Sequence, residues 1–183
     1  MSTHDDTPRE LQAATLFGTI ESVDVATATC RVRSGDILTD AVPWAAQRAG
    51  TTRRWSPPTV GEQVVLLCPG GDTHGAVALL GLYTTSNAAP SASADEDVTE
   101  YPDGTRIVYN HAAKKLTATL ADGGEIDITA TKIKITGDVE VDGKIDCTKT
   151  VTATEDVIGG GKSLKTHPHT GVQSGSGTSG PPA

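Results

Sequence analysis

Apolar and polar residues alternate in a six-residue repeat along the C-terminal part of the chain. β-Branched residues recur with one spacing of seven and four spacings of six, at Ile126, Ile133, Val139, Ile145, Val151 and Val157. Each is followed two positions later by a second residue of the repeat: Ile128, Ile135, Val141, Cys147, Ala153 and Gly159. Because side chains two apart lie on one face of a strand, the repeat predicts short strands with one apolar face, separated by glycine-containing turns.

One chain cannot bury that apolar face by itself. A six-residue strand spans about 20 Å at most, and a single ladder of such strands leaves its apolar side in water, which soluble proteins avoid. Winding three chains around a common axis supplies each face with partners, and we therefore predict a trimeric shaft. The second residue of each pair becomes smaller toward the C-terminus, which fits either a taper or unequal packing without one.

The N-terminal half carries strand-type segments of another kind. Apolar stretches separated by Gly, Pro, Asp and Ser clusters predict strands at residues 16–23, 29–33, 37–42, 63–67 and 76–83. Five short strands in about 70 residues indicate a small closed or partly closed barrel, which we place at 16–88. Before it, Thr7-Pro8-Arg9-Glu10 has the residue types of a helix start and predicts a helical segment within 1–15.

The use of basic residues changes near residue 90. Residues 1–89 contain six Arg and no Lys, whereas residues 90–183 contain eight Lys and one Arg. Small polar residues from Thr84 to Ala94 lie at this boundary, and we predict a linker over 89–98. The remaining chain is then a shaft over 99–164 and a C-terminal apex over 165–183, in an all-β protein.

Composition and charge argue against several classes of binding partner and cellular location. The 183 residues carry a formal net charge of −8, which argues against binding to nucleic acid or to an anionic membrane surface. The acidic N-terminus lacks the basic start of a signal peptide, and no apolar run is long enough to span a bilayer. Three cysteines, at 30, 68 and 147, have neither disulfide nor zinc spacing and indicate synthesis in a reducing cytoplasm.

Several motifs follow one another along the chain: Gly18-Thr-Ile-Glu-Ser-Val-Asp24, Val42-Pro-Trp44, Trp55-Ser-Pro-Pro58, Val60-Gly-Glu-Gln-Val64, Leu80-Gly-Leu-Tyr83 and Tyr101-Pro-Asp-Gly104. Their order resembles that of baseplate assembly protein V, the central tail spike of contractile-tailed phages and phage-derived bacteriocins, and the resemblance covers nearly the whole chain. It implies an OB-fold barrel that forms a trimeric collar docked to the tail tube and baseplate hub. It also implies an intertwined trimeric β-helix as the shaft.

Two histidines near the C-terminus are the candidate metal ligands. His167 and His169 flank Pro168, and on an extended segment both imidazoles point to one side. Three such pairs around a threefold axis supply six nitrogens, an octahedral set that suits iron or nickel better than zinc. The resemblance implies one iron ion per trimer with six His ligands, and other buried axial ions such as calcium or chloride remain open. The alternative is a pair of exposed loop histidines.

These observations predict a non-enzymatic, homotrimeric spike in the virion tail baseplate or in a bacteriocin particle. The spike would puncture the bacterial outer membrane when the sheath contracts. Gly159-Gly-Gly-Lys-Ser163 fails as a phosphate loop, because Asp156 stands where that motif needs glycine. Two alternatives stay open: a trimeric tail-tip receptor-binding protein, and a single-strand nucleic-acid binder using Trp44, Trp55, Arg53 and Arg54.

Overall fold

The computed structural model describes residues 14–167 and Gly175. Within these residues the protein is all-β, and its sole helical element is a single 3₁₀ turn at Pro69–Gly71. The predicted N-terminal helix falls on residues outside the described range, which begins with a turn at Ala14. The chain divides into two units, Met1–Asp127 and Ile128–Ala183, and none of the described helical elements is long and apolar enough to cross a membrane.

Six strands of the first unit form one antiparallel sheet. They are β1 (Thr15–Asp24), β2 (Thr29–Ser34), β3 (Ile37–Leu38), β4 (Val42–Pro43), β5 (Gln63–Leu67) and β6 (Val77–Leu82). The order is β3-β2-β1-β5-β6, and β4 also pairs with β2. Directly after β4, Trp44 forms a parallel bridge to Ala78 on β6, and the Ala45 N–H donates to the Ala78 carbonyl at 2.9 Å. This contact joins the two ends of the sheet and closes the barrel.

Small aliphatic side chains fill the barrel. Alternate residues of the strands are fully buried, including Ile20, Val32, Val64 and Leu66, as expected when one face of each strand points inward. The core contains Trp44 as its only aromatic residue among those described, in keeping with the low aromatic content of the chain. The barrel core is therefore built mainly from small aliphatic side chains.

Strand β3 ends earlier than the sequence pattern predicts. The segment 37–42 divides into β3 and β4 because Thr39 leaves the ladder and turns its side chain inward. The Thr39 hydroxyl accepts the Val32 N–H at 3.0 Å, and the Thr39 N–H donates to the Val32 carbonyl at the same distance. A side-chain oxygen thus replaces a backbone carbonyl, so that a polar residue stays satisfied inside the barrel.

A second antiparallel sheet follows the barrel. It has the order β7 (Glu96–Glu100), β8 (Arg106–Asn110) and β9 (Lys115–Thr119). Strand β7 overlaps the end of the predicted 89–98 linker, and the Arg106 guanidinium donates to the Pro90 carbonyl at 3.0 Å. The segment before β7 is therefore held against the sheet by a hydrogen bond.

The two faces of the β7–β9 sheet differ in exposure. Val98, Val108 and Thr117 lie on one face and are half-buried. The opposite face carries Ile107, Tyr109 and Leu116, which are exposed, Leu116 by 70 %. This sheet thus has an uncovered apolar face in the single chain.

The repeat region forms no strands with itself. Between Leu120 and Val157 the described chain has neither helix nor strand, and residues 125–156 make no backbone–backbone hydrogen bond with any described residue. A short hairpin follows, made of β10 (Ile158–Gly159) and β11 (Lys162–Ser163). The predicted short strands therefore lack partners within one chain.

Candidate functional site

The β10–β11 hairpin leads the chain to the first candidate ligand. Its turn is formed by Gly160 and Gly161, whose φ angles of 57° and 76° belong to the left-handed region that glycine adopts without strain. The Leu164 N–H donates to the Val157 carbonyl at 2.9 Å and extends the pairing by one hydrogen bond. This fixes where the chain leaves the hairpin, three residues before His167.

Asp156 closes the base of the hairpin. Its Oδ1 accepts the backbone N–H of Val157 at 2.8 Å and that of Lys165 at 3.2 Å. The pKa of Asp156 lies below its ordinary value, chiefly because the Ser163 hydroxyl donates to the carboxylate. Backbone donors add to the same effect. The carboxylate thus ties the strand before the turn to the segment after it.

Ser163 organises the turn that follows. Its Oγ accepts the N–H of Lys165 at 3.1 Å and that of Thr166 at 2.9 Å. Its carbonyl oxygen accepts the backbone N–H of His167 at 3.2 Å and lies 2.8 Å from His167 Nδ1. The hydroxyl and the carbonyl oxygen of Ser163 therefore both contribute to the position of His167.

The imidazole of His167 is described, whereas His169 lies outside the described residues. A carbonyl oxygen can only accept, so Nδ1 of His167 carries the proton and Nε2 of the neutral ring has the lone pair. This is the form in which histidine ligates a metal, with its other nitrogen bonded to a backbone carbonyl. No group of three or more His, Cys, Asp or Glu side chains that could hold a metal occurs among the described residues of the chain.

The repeat region presents a series of exposed apolar residues at its inward-predicted positions, which we call the apolar stripe. Its members are exposed by between 43 % and 72 %: Ile126, Ile128, Ile133, Ile135, Val139, Val141, Ile145, Val151 and Val157. Cys147 belongs to the same repeat and is also exposed. On the alternate positions, Lys144 Nζ lies 2.8 Å from Asp146 Oδ1, an ion pair suited to a solvated face.

The barrel surface carries a loop with three arginines. Arg48, Arg53 and Arg54 lie in the segment between β4 and β5, where the Arg54 N–H donates to the Arg48 carbonyl at 2.9 Å. None of the three forms an ion pair with a carboxylate of the described chain. Trp44 is only 9 % exposed and belongs to the core. It therefore offers no open ring face for a nucleic-acid base, which leaves Trp55 as the exposed indole of that patch.

His74 forms a cluster that sequence analysis did not find. Its Nδ1 lies 2.9 Å from Asp72 Oδ1, and its Nε2 lies 3.5 Å from Asp40 Oδ2. The hydrogen bond that the His74 ring donates to Asp72, together with the charges of both carboxylates, raises the pKa of His74. The spacing Asp72-x-His74 is visible in the sequence, but the fold alone brings Asp40 from the loop between β3 and β4.

Known protein families match the chain in its N-terminal barrel and at its C-terminus. Residues 16–83 match the family described as "Type VI secretion system/phage-baseplate injector OB domain", and these residues coincide with the barrel. Residues 163–183 match the "GpV Apex motif", which begins at Ser163. A curated relative, the "Spike protein" of Escherichia phage P2, is 33 % identical over 173 residues, covering 89 % of this chain and 82 % of that protein.

The chain belongs to the phage baseplate spike family. The resemblance drawn from the sequence motifs is confirmed, and the OB-type barrel with it. Membership supports a spike role in the baseplate of a phage tail, and the family is one of structural proteins. The apex motif is consistent with a metal-binding C-terminus.

Proposed function

We propose that this protein is a homotrimeric, non-enzymatic spike that punctures the bacterial outer membrane at the tip of a contractile tail. The observation that carries the proposal is the region 125–156, which leaves both its backbone and the apolar stripe without partners in one chain. Unpaired backbone groups and a long apolar surface are each costly. Both costs disappear when neighbouring chains supply the missing strands.

We propose three chains for this region. In a closed trimeric β-helix within the predicted shaft 99–164, the unpaired segment 125–156 of every chain would pair with both neighbours, and the apolar stripe would turn toward a common axis. The β7–β9 sheet also has an exposed apolar face, and neighbouring chains would bury its residues Ile107, Tyr109 and Leu116. A trimer therefore accounts for the exposed apolar surface both in the second sheet and in the repeat.

The C-terminus would close this trimer with an iron ion. His167 and His169 from three chains supply six imidazole nitrogens, and iron would hold the three chain ends together without an open coordination position. The proton on Nδ1 of His167 fits this role, because it leaves Nε2 as the ligand atom. The result is a rigid apex that concentrates the force of sheath contraction on a small area of the membrane.

The barrel would dock this spike to the tail tube and baseplate hub. Arg48, Arg53 and Arg54 are exposed cations without a described carboxylate partner on an otherwise acidic chain. Charge complementarity then favours an acidic surface on the docking protein. We do not propose nucleic acid as a partner, because the net charge of −8 opposes binding to phosphates.

Elemental analysis tests the proposed apex. About one iron per three chains is expected in the wild-type protein and none after His167→Ala with His169→Ala. Particles carrying the double variant should still assemble but release less of a periplasmic enzyme from target cells. Cell binding by the isolated protein, undiminished in the double variant and without membrane damage, would favour the receptor-binding alternative instead.

Cross-linking through Cys147 tests the trimer separately. Because the three thiols would lie at one level near the axis of the shaft, oxidation should join two of them in a disulfide and leave the third chain single. Roughly two thirds of the chains should then migrate as dimers under denaturing conditions, since each closed threefold assembly brings three copies of the thiol together. Cys147→Ser is the control, because Cys30 and Cys68 are buried in the barrel.

A further inference from the structure

We propose that Asp156 and Ser163 are positioning residues of the apex, which hold the His167 ring as the Nδ1–H tautomer and direct its Nε2 toward the axis. The part of this inference that concerns metal rests on the proposed function. The part that concerns the ring's tautomer stands on the hydrogen bonds of the chain itself.

The first step is the anchoring of the segment 163–166 to the hairpin. Asp156 lies at the base of the hairpin, where its Oδ1 accepts the N–H of Val157 before the turn and that of Lys165 after it. The N–H of Lys165 lies 3.2 Å from Asp156 Oδ1 and 3.1 Å from Ser163 Oγ, so one backbone donor is shared by the two side chains. An ionised carboxylate is a strong acceptor for all these donors.

The second step is the turn from Ser163 to His167. Ser163 Oγ accepts from the backbone of Lys165 and Thr166 and from the Thr166 hydroxyl at 3.0 Å. These bonds fold the chain back, so that the Ser163 carbonyl meets both the backbone N–H and the ring Nδ1 of His167. The Ser163 hydroxyl thereby shapes the turn in which the Ser163 carbonyl can accept a hydrogen bond from the imidazole of His167.

The third step is the selection of one tautomer. Free histidine in water exchanges between Nδ1–H and Nε2–H forms, and only the form with a bare Nε2 can ligate through that atom. The carbonyl contact at 2.8 Å selects the Nδ1–H form before any metal arrives. Removing a hydrogen-bond partner of a metal-ligating histidine typically lowers the affinity for the metal by about 10- to 100-fold.

The experiment uses full-length protein with Ser163→Ala and Asp156→Asn. The alanine removes the hydroxyl of residue 163, and the asparagine replaces the charged carboxylate, which accepts the N–H groups of Val157 and Lys165, by a neutral amide with a single acceptor oxygen. Ser163→Thr keeps the hydroxyl, and Asp146→Asn makes the same change in the shaft, where Asp146 pairs with Lys144. Two quantities are measured: the affinity for Fe²⁺ under argon, in competition with a chelator of known affinity, and the His167 tautomer in metal-free protein by ¹⁵N NMR, assigned with His167→Ala.

We expect wild-type His167 to be the Nδ1–H tautomer, and Ser163→Ala and Asp156→Asn to yield mixed tautomers. Both variants should bind Fe²⁺ about 10- to 100-fold more weakly, with the mass of the assembly and the iron content at saturation unchanged. Ser163→Thr and Asp146→Asn should match the wild type.

Different results overturn different statements. Wild-type affinity and tautomer in both Ser163→Ala and Asp156→Asn would refute the positioning role while leaving the iron apex intact. Absence of Fe²⁺ binding by the wild type would refute the metal site, and the tautomer of Ser163→Ala would then decide the positioning role alone. If either variant fails to assemble, an Nε2–H tautomer in wild-type protein still refutes the inference.

Discussion

The indole ring of Trp55 lies against that of Trp44, with ring centroids 5.6 Å apart and planes inclined by 54°. Trp44 also forms the bridge to Ala78 that closes the barrel. The exposed end of the arginine loop is therefore attached to the residue at which the sheet closes. A tilted aromatic pair of this geometry contributes about 0.5–1.5 kcal/mol beyond the area it buries.

Trp55→Ala is expected to loosen this attachment without unfolding the barrel. The free energy of unfolding of the barrel should fall by about 1 kcal/mol, because the pair is lost while Trp44 keeps its core contacts. Fluorescence of Trp44 during denaturant unfolding measures the change at a fixed chain concentration. Tyr83→Ala is the control, since Tyr83 is exposed and forms no ring contact with a described residue. Equal effects of the two substitutions would contradict this prediction.

Gly18→Ala should destabilise the barrel although it adds only one methyl group. A Cβ at Gly18 would lie 2.5 Å from Val32 Cγ1 and 2.8 Å from the Arg33 carbonyl oxygen, and the backbone oxygen cannot move without disturbing β2. Overpacking of this kind costs about 1–3 kcal/mol. Gly75→Ala is the matched control, because nothing lies within 4 Å of its added Cβ. Thermal unfolding of both variants would reveal the difference, and a neutral Gly18→Ala would mean that β1 and β2 can separate freely.

Ile135→Asp should prevent assembly of the shaft while sparing the barrel. The substitution places a carboxylate on the apolar stripe, where the proposed trimer would bury it without a partner. Sedimentation should show single chains with an unchanged barrel signal in tryptophan fluorescence. Thr136→Asp introduces the same charge at the next, outward position of the repeat and should leave the trimer intact. Trimers of normal stability with Ile135→Asp would refute an inward-facing stripe.

The pKa of His74 should fall when Asp72 is replaced by Asn. Asp72 raises the pKa of His74 above its ordinary value near 6.5, through a hydrogen bond and through charge. The favourable contribution of His74 is therefore complete below pH 6.5 and disappears as pH rises through the raised value. The pKa of Asp72 is lowered, chiefly by the backbone N–H of His74, and its contribution disappears as pH falls through that depressed value.

An NMR titration of the His74 ring in the wild type and Asp72→Asn measures the effect. Asp36→Asn, a neutralisation at another exposed aspartate, should leave the titration of His74 where it is. An unchanged midpoint in Asp72→Asn would show that the two side chains do not interact in solution.

Short-range patterns in the sequence predicted the barrel well. Apolar stretches bounded by turn residues placed four strands to within one residue of β1, β2, β5 and β6, because strand-forming and turn-forming residues act locally. The division of 37–42 was missed, since the turn of Thr39 toward Val32 depends on a contact seven residues away. No local pattern encodes that hydrogen bond.

The candidate site was predicted in part. His167 and His169 were visible in sequence, but the contacts of Asp156 with Lys165 and of Ser163 with His167 were not, because they require the β10–β11 hairpin to form. The Asp40–His74 contact was missed for the same reason. In both cases the sequence provides the chemical groups, and only tertiary structure brings them within hydrogen-bonding distance.

The missing backbone partners of residues 125–156 also bear on how the protein folds. The barrel's strand pairs are largely antiparallel and within one chain, so its folding rate is independent of concentration. In the proposed trimer, the shaft gains its hydrogen bonds only when chains associate, so the rate of its formation depends on chain concentration. Until then each newly made chain exposes strand-forming segments that can pair with other unfinished chains. The yield of native spikes is therefore set by a competition between correct threefold association and aggregation during synthesis.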